Sequence, residues 1–528
     1  MCLLSVSQAT NTPLQVQRTT VGYFILGGLW LLGACSTSDE NNSHPEKDFC
    51  AEIHRSDSTS LSKELLPLES LMTTKTGVYV LEDGGGSLVA RAWLSEYAEQ
   101  TIDVQYFIFS TDNVGLIACD YLVRAADRGV KVRILVDDIL VDAGIRDILT
   151  LDSHANISIK IYNPGVNLGK NFVGKLKSFA LDYRSSNQRM HNKTFIVDGK
   201  ALITGGRNIA DEYFDYDHDY NFRDRDVLLL GKTVGNAEYS FDQFWNDSLS
   251  VDVAAISDEL PWEDAPNGRF TNLHSYACDP DNFWPQIRSK IEGLPKAFEK
   301  IQADGSLVWL DSVLFVSDVP GKNDGTEGLS GGGLTTDTLM ALIRGAKRSI
   351  DIQTPYLITT EESRNLFAEC VDRGVTVRIL TNSLASTDNL EAFSGYQRDR
   401  KELLETGVRI FEFKPDAAAR FEVMTSDLQD SLQHQPIFGL HAKSMVVDGH
   451  ITVIGTFNLD PRSSNLNTEC VTVIYSDQIA SGVAAHMETE FKPENAWETT
   501  LDFNPDSEVP VGTRIKVWTR KVVPKNIL

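Results

Sequence analysis

The chain repeats itself. A block that begins at His191 returns 250 positions later at His441 with its internal gaps unchanged. The first copy carries His191, Lys193, Asp198, Gly205, Gly206, Arg207 and Asn208; the second carries His441, Lys443, Asp448, Gly455, Thr456, Phe457 and Asn458. Segments around the block are echoed as well: Ile102–Tyr106 by Ile350–Thr354, Arg128–Leu135 by Arg373–Leu380, and Ile157–Pro164 by Val408–Pro415, at offsets between 245 and 251. Repetition on this scale restricts the architecture to two similar halves, because each repeat carries the same series of elements.

Each half reads strand, helix, strand, strand and then a hairpin. The apolar runs Thr194–Val197 and Ala201–Thr204, and Ser444–Val447 and Ile451–Ile454, flank an Asp-Gly pair, the pattern of a tight hairpin. Upstream, Leu116, Ile117, Tyr121, Leu122 and Ala125 have helical spacing, and Gly129 suits the helix end before a buried strand over 130–136. Strands alternating with helices predict an α/β fold with a mixed sheet in each half. The expected division is a leader over 1–35, a polar tether over 36–65, a first half over 66–250, an insertion and linker over 251–335, a second half over 336–500 and a tail over 501–528. The Gly-rich stretch 321–333 suits a linker, since no Gly-Lys-Ser/Thr follows to make a phosphate loop. The sequence gives no role to residues 250–310, where Trp262, Trp284 and Trp309 fall.

The repeated residues have a common chemistry. An imidazole, an ammonium two residues on and an amide past a glycine turn are what a phosphodiester needs for nucleophilic attack and charge neutralisation. On a strand, His and Lys two apart face the same side and line one wall of a cleft.

At these residues the chain resembles the phospholipase D superfamily, whose signature is His-x-Lys-x4-Asp followed by Gly-Ser and Asn. The second copy has Thr456 where Ser is usual. The first has Gly206 there, a variation that looks like bacterial cardiolipin synthases. Further stretches, Arg189–Lys193, Gly205–Ile209, Phe222–Asp226 and Leu380–Ala385, are similar to one subgroup of those enzymes, the C type, across most of residues 70–500. The resemblance implies two pseudo-symmetric halves, each a mixed sheet flanked by helices, with one active site at their interface. It implies that one histidine attacks phosphorus to give a phosphohistidine, while the other protonates the leaving oxygen and later deprotonates the acceptor. Precedent favours His191 as nucleophile and His441 as acid and base, although pseudo-symmetry leaves the exchange of roles open. Lys193, Asn208, Lys443 and Asn458 are the expected phosphate ligands. Asp224 and Glu469, at the start of the strand after each motif, are expected to orient the imidazoles. Asp198 and Asp448 belong to the catalytic signature but read as structural acceptors at the hairpin turns.

Charge and targeting narrow the partners. A net charge of −25 counts against a nucleic-acid groove, so no nucleic acid is expected. Lys170, Lys175, Lys177, Arg184, Arg189 and Lys193 form a local basic excess that reads either as a solvated face or as a funnel for phosphate headgroups. The apolar run 21–32 is short for a membrane span and ends at Cys35 in a lipobox-like sequence, which predicts a lipidated, membrane-anchored envelope protein facing the extracytoplasmic side. Cysteine spacing asserts no disulfide; Cys119, Cys370 and Cys470 fall in apolar elements and are expected to be buried. No metal-ligand spacing recurs and no cofactor is expected. The acidic cluster Asp211, Glu212, Asp215, Asp217 and Asp219 reads as solvated rather than as a cation loop.

The leading reading is therefore a membrane-tethered phosphatidyltransferase that makes cardiolipin from phosphatidylglycerol, with phosphatidylethanolamine as a possible donor. A phospholipase D that releases phosphatidic acid is the alternative, and a nuclease or a silent lipid-binding lipoprotein stands below both. Inner or outer membrane and oligomeric state are left open.

Overall fold

The computed structural model describes Cys50 and residues 60–528, except 141–143, 165–187, 263–269, 284, 294–295, 304, 323–330 and 425–434. Cys35 with its lipobox, Lys170, Lys175, Lys177, Arg184 and Trp284 lie outside the described residues.

Two sheets carry the repeat. The first runs in the order Val308–Leu310, Thr76–Leu81, Asp226–Gly231, Ala201–Gly205, Thr194–Val197, Thr101–Ile108, Lys131–Leu140, Ile157–Tyr162, Ser250–Asp252. The second runs Val313–Ser317, Cys470–Tyr475, Ile451–Gly455, Ser444–Val447, Ser349–Gln353, Thr376–Asn382, Arg409–Phe413, Ala496–Thr499. Apart from the additional edge strand Val308–Leu310, the two orders correspond strand for strand. In each, three parallel strands joined by helical crossovers adjoin antiparallel neighbours, which makes the expected mixed sheet. The helix expected around Leu116 spans Asn113–Asp127, and the Asp112 side chain caps it by accepting from the Gly115 amide at 3.0 Å. Gly129 and its repeat partner Gly374 follow their helices with φ of 97° and 85°, a left-handed turn that a Cβ would strain.

Strand alternation divides the apolar side chains between three cores. Phe195 and Val197 face the outer core of the first half, and Met445 and Val447 that of the second. Ile196 and Val446, one residue out of phase, meet in a third core with Leu229, Phe241, Leu380, Ile474 and Met487. That shared core joins the halves, with helices Val234–Trp245 and Asp477–Glu490 contributing to it.

Several boundaries differ from expectation. The tether region is not wholly outside the fold: Leu61 and Leu65, one helical turn apart, are buried in the first core, and Cys50 forms a disulfide with Cys278. Its two cysteines are 228 residues apart, so no local spacing could disclose the bond. The second half begins before 336, because Val313–Ser317 is its edge strand, paired with Cys470–Tyr475. Nor is 501–528 a free tail: helix Val511–Arg520 packs on helix Leu390–Glu405 through Val517. Trp309 lies in the additional edge strand of the first sheet, and the Trp262 ring stacks over Arg146 at 3.7 Å. Cys370 and Cys470 are buried as expected, whereas Cys119 is half-buried.

Candidate active site

Each motif hairpin is held at its start by the opposite half. The His191 amide donates to Thr468 O at 3.0 Å, and the Thr468 amide donates to Arg189 O at 2.9 Å. In the matching place Ile437–Leu440 lies parallel to Tyr220–Arg223, and the amides of His441 and Ala442 donate to Arg223 O at 2.8 and 2.9 Å. Thr468 and Arg223 each directly precede a carboxylate, so this backbone pairing brings the carboxylates across. His191 Nδ1 lies 2.8 Å from Glu469 Oε2, and His441 Nδ1 lies 2.6 Å from Asp224 Oδ2. Each imidazole is thus oriented by the acid of the other half, which fixes the proton on Nδ1 and leaves Nε2 as the ring nitrogen that faces no carboxylate.

The lysines lie on the same side of their strands as the histidines. Lys193 Nζ donates to His191 O at 2.9 Å; Lys443 Nζ donates to His441 O at 2.6 Å and lies 3.0 and 3.1 Å from the two ring nitrogens. All four side chains are buried. Burial, with Lys443 second, lowers Lys193 to about 7; burial likewise lowers Lys443 to about 8. Burial and the neighbouring ammoniums lower His191 to about 4 and His441 to about 3, outweighing the carboxylates that favour the charged ring. Burial opposes ionisation of Asp224 and Glu469 too, but the facing imidazole and lysine hold both carboxyls below their ordinary range. The result is a pair of buried lysines whose charged form burial disfavours and an incoming anion would stabilise, beside two neutral imidazoles.

Asn208 and Asn458 stand beyond the glycine turns. Asn208 Oδ1 accepts from the Ile108 amide at 3.1 Å, and its side chain also hydrogen-bonds the Tyr213 hydroxyl, which holds the amide beside the ring that flanks His441. Asn458 is fixed through its backbone, whose amide donates to Ser463 Oγ at 3.2 Å, and its Oδ1 is buried with no hydrogen-bond partner among the described residues.

The two copies differ where the sequence does. Thr456 Oγ1 donates to Glu469 Oε2 and accepts from the Cys470 amide at 2.9 Å. Gly206 has no such group, and a Cβ there would lie 2.0 Å from Asp224 Oδ1. The shorter Asp224 occupies that space and accepts from the Arg225 amide at 2.7 Å. Glycine with Asp, and Thr with Glu, are therefore two ways to seat a carboxylate against the opposite imidazole.

Other expected residues do different work. Asp198 and Asp448 have φ of 52° and 55° in the hairpin turns, at the far end of the motif strands from the histidines. Asp198 accepts from the amides of Glu99, Gln100 and Thr101 at 2.7 to 2.9 Å, and Asp448 from those of Lys347, Arg348 and Ser349 at 2.7 to 3.0 Å. They tie hairpin to sheet and touch neither imidazole. Arg189 is fully buried against Asp137 at 3.2 Å, so it is no part of a solvent-facing funnel. The acidic cluster caps turns rather than facing only water: Asp211 Oδ1 accepts from the Val114 amide at 2.7 Å, and Asp217 Oδ1 from the Tyr220 amide at 2.7 Å.

Aromatic rings that sequence reasoning passed over complete the walls. Phe107 meets His191 edge-on at 5.0 Å, while Tyr213 and Phe222 lie 5.0 and 4.7 Å from His441. Phe107 follows directly on the repeated segment Ile102–Tyr106, which was the available signal. Arg223 and Arg225 are also fully buried, both paired with Glu82, at 2.6 and 2.8 Å, and that partner is far away in sequence.

A family model described as cardiolipin synthase, PLD-like domain, matches residues 95–245 and 339–493, one match per half. Cardiolipin synthase C of Escherichia coli K12 is 33% identical over 84% of this chain and 90% of its own length. An uncharacterized protein of Helicobacter pylori is 32% identical over 76% of this chain and 77% of its own. Among solved structures, a phosphatidylserine synthase of Haemophilus influenzae superposes with a TM-score of 0.56 at 15% identity, covering 88% of this chain and 100% of that one, a likeness of fold.

Proposed function

The chain belongs to the cardiolipin synthase family of phospholipase D-like domains, and on that premise we propose that it is a phosphatidyltransferase that makes cardiolipin. The observation that carries the proposal is the crossed pairing of His191 with Glu469 and His441 with Asp224, which makes one composite site from two halves. His191 Nε2 attacks the phosphorus of a donor phospholipid. The bond to the leaving alcohol breaks, and His441 gives its proton to that oxygen. The phosphohistidine is then attacked by a hydroxyl of phosphatidylglycerol, whose proton passes to His441 as the P–N bond breaks. Burial, with the ammoniums second, holds the His441 ring neutral in the empty site; the bound phosphodiester anion offsets this, and the ring takes up a proton from solvent before the leaving oxygen departs. Lys193, Lys443, Asn208 and Asn458 hold the non-bridging oxygens as charge builds in line.

Transfer is favoured over hydrolysis by the depth of the histidines: the side chains of His191 and His441 are 9% and 6% exposed, which limits the access of bulk water to an intermediate. We place the protein in the cell envelope, lipidated at Cys35. The Cys50–Cys278 disulfide supports an oxidising compartment.

The test uses the chain from residue 36 onward, which retains every residue the structure describes. It is incubated with labelled phosphatidylglycerol, with and without phosphatidylethanolamine, and the lipids are separated. Cardiolipin in excess of phosphatidic acid is the expected outcome. Phosphatidic acid as the sole product would replace transfer with hydrolysis.

A further inference from the structure

We infer that the helix Val511–Arg520, with the turn that follows it, is a docking surface for an anionic phospholipid bilayer. The inference rests on the proposed use of membrane phospholipid as substrate.

Two properties of this segment coincide. Val511, Ile515 and Trp518 recur at intervals of four and three residues, so they fall along one side of the helix, and Val522 stands in the turn just after it; the four are 59, 57, 67 and 85% exposed. The helix itself buries Val517 alone among its residues, which anchors it to helix Leu390–Glu405 and leaves the apolar stripe outward. Residues 510–528 also hold Arg514, Lys516, Arg520, Lys521 and Lys525 and no acidic side chain, in a chain whose net charge is −25. Arg520 pairs with Glu391 and Lys525 with Asp399; Arg514, Lys516 and Lys521 make no ion pair among the described residues. An exposed apolar stripe bordered by cations is the composition of a helix that lies in the interface of an anionic membrane. No helix among the described residues is long and apolar enough to cross a membrane, so this one would act at the surface.

The occupant follows from charge. A second copy seated face to face would set the three unpaired cations Arg514, Lys516 and Lys521 against three, whereas anionic headgroups complement them. Position supports the same choice. After the helix the chain turns back to the second motif, where the Arg462 amide donates to Leu528 O at 3.2 Å and Arg462 Nη1 to Ile527 O at 3.1 Å. Arg462 lies in the short helix Pro461–Asn465, whose Ser463 Oγ holds the Asn458 amide. A bilayer on the exposed stripe would thus border the segment that carries one of the proposed phosphate ligands.

The experiment measures binding apart from turnover. The chain from residue 36 onward is floated with vesicles of phosphatidylcholine alone or mixed with phosphatidylglycerol, and turnover is followed on a dispersed short-chain phospholipid. The unmodified chain should float with the mixed vesicles, less so at high salt. Ile515→Ser with Trp518→Ser should weaken partition at least about tenfold, from the apolar contact removed. Arg514→Glu with Lys516→Glu should weaken it about thirtyfold or more, at roughly 1 kcal/mol per cation. Circular dichroism checks the fold, and turnover on the dispersed lipid should be unchanged in both variants. Vesicle binding by the folded variants equal to that of the unmodified chain would overturn the inference. So would a concentration-dependent dimer, seen by sedimentation, that the same substitutions abolish. Absence of turnover on dispersed lipid in every form, with vesicle binding intact, would count against the proposed chemistry and not against the docking surface.

Discussion

Gly206→Ala should cripple the site through a single methyl group. Gly206 does not have a positive φ, so alanine fits the backbone without strain and the effect is confined to the side chain. The new Cβ would stand 2.0 Å from Asp224 Oδ1 and 2.7 Å from its Cγ and Oδ2, where ordinary contact begins at 3.4 Å. The carboxylate must therefore retreat by more than about 1 Å, a displacement that can cost on the order of 100-fold in rate when it misplaces a catalytic group. It has nowhere to go without loss, since Oδ2 holds His441 at 2.6 Å and Oδ1 takes the Arg225 amide at 2.7 Å. The expected result is a fall in kcat of about 100-fold with a stability loss of roughly 1–3 kcal/mol, the usual range for overpacking. Turnover of phosphatidylglycerol per folded molecule, with a thermal melt on the same sample, measures both. A donor with a good leaving group should be much less affected, because His441 is then not needed as an acid. A variant within twofold of the parent on the natural substrate would refute the claim that Asp224 needs the space left by glycine.

Four further outcomes are expected. His191→Ala should abolish the covalent intermediate, whereas His441→Ala should accumulate one from a donor with a good leaving group; acid-quench labelling distinguishes them, and the reverse pattern would exchange the roles. Lys193 and Lys443 lose their protons near 7 and 8 in the folded chain, so kcat/KM should fall as pH rises through that range rather than near 10.5. The site's own contribution to stability should be lost on acidification: Asp224 and Glu469 have folded values below their ordinary 3.8 and 4.5, and His191 and His441 below 6.5, so below pH 6.5 these four groups take up more protons in the unfolded chain. Burial raises Asp211, Glu212, Glu412 and Asp460 to about 8, 7, 7 and 6, and these act in the opposite sense, so the test is a difference: between pH 7 and 4 the Tm of the parent should fall relative to that of His191→Gln with His441→Gln, and an unchanged difference would contradict the assigned directions. Cys278→Ser should cost about 2–5 kcal/mol, as should reduction of the parent, by releasing a long closed loop; denaturant unfolding with and without reductant measures it, and turnover at moderate temperature should be retained.

The sequence disclosed what is local or repeated. The motif hairpins, the helix after Asp112 and the matching strands are each written in a dozen or so adjacent residues, and duplication doubled the signal. Asp224 and Glu469 were recognisable from their places after the motifs, but which imidazole each would face depended on a contact between residues more than 200 positions apart. Glu82, Cys50 and Val313–Ser317 were missed for the same reason, since their partners Arg223, Cys278 and Cys470–Tyr475 are assigned by the packing of the halves and not by nearby chain. Asp198 and Asp448 belong to the signature yet read as turn acceptors in the sequence and act as such in the structure, since fixed spacing in a signature can mark a turn as readily as a catalytic group.

Crossing the acids between halves gives the molecule the logic of a dimer within one chain. Had two identical copies met in the same way, both imidazoles would face the same acid and share one proton affinity, with nothing to tell donor from acceptor. Within one chain the copies can be unequal, and here one has a hydroxyl beside Glu469 while in the other Asp224 fills that space. Inequality of this kind lets a symmetric fold run a directional reaction. It also means that the two halves share one fate, for a lesion in either disarms the histidine of the other.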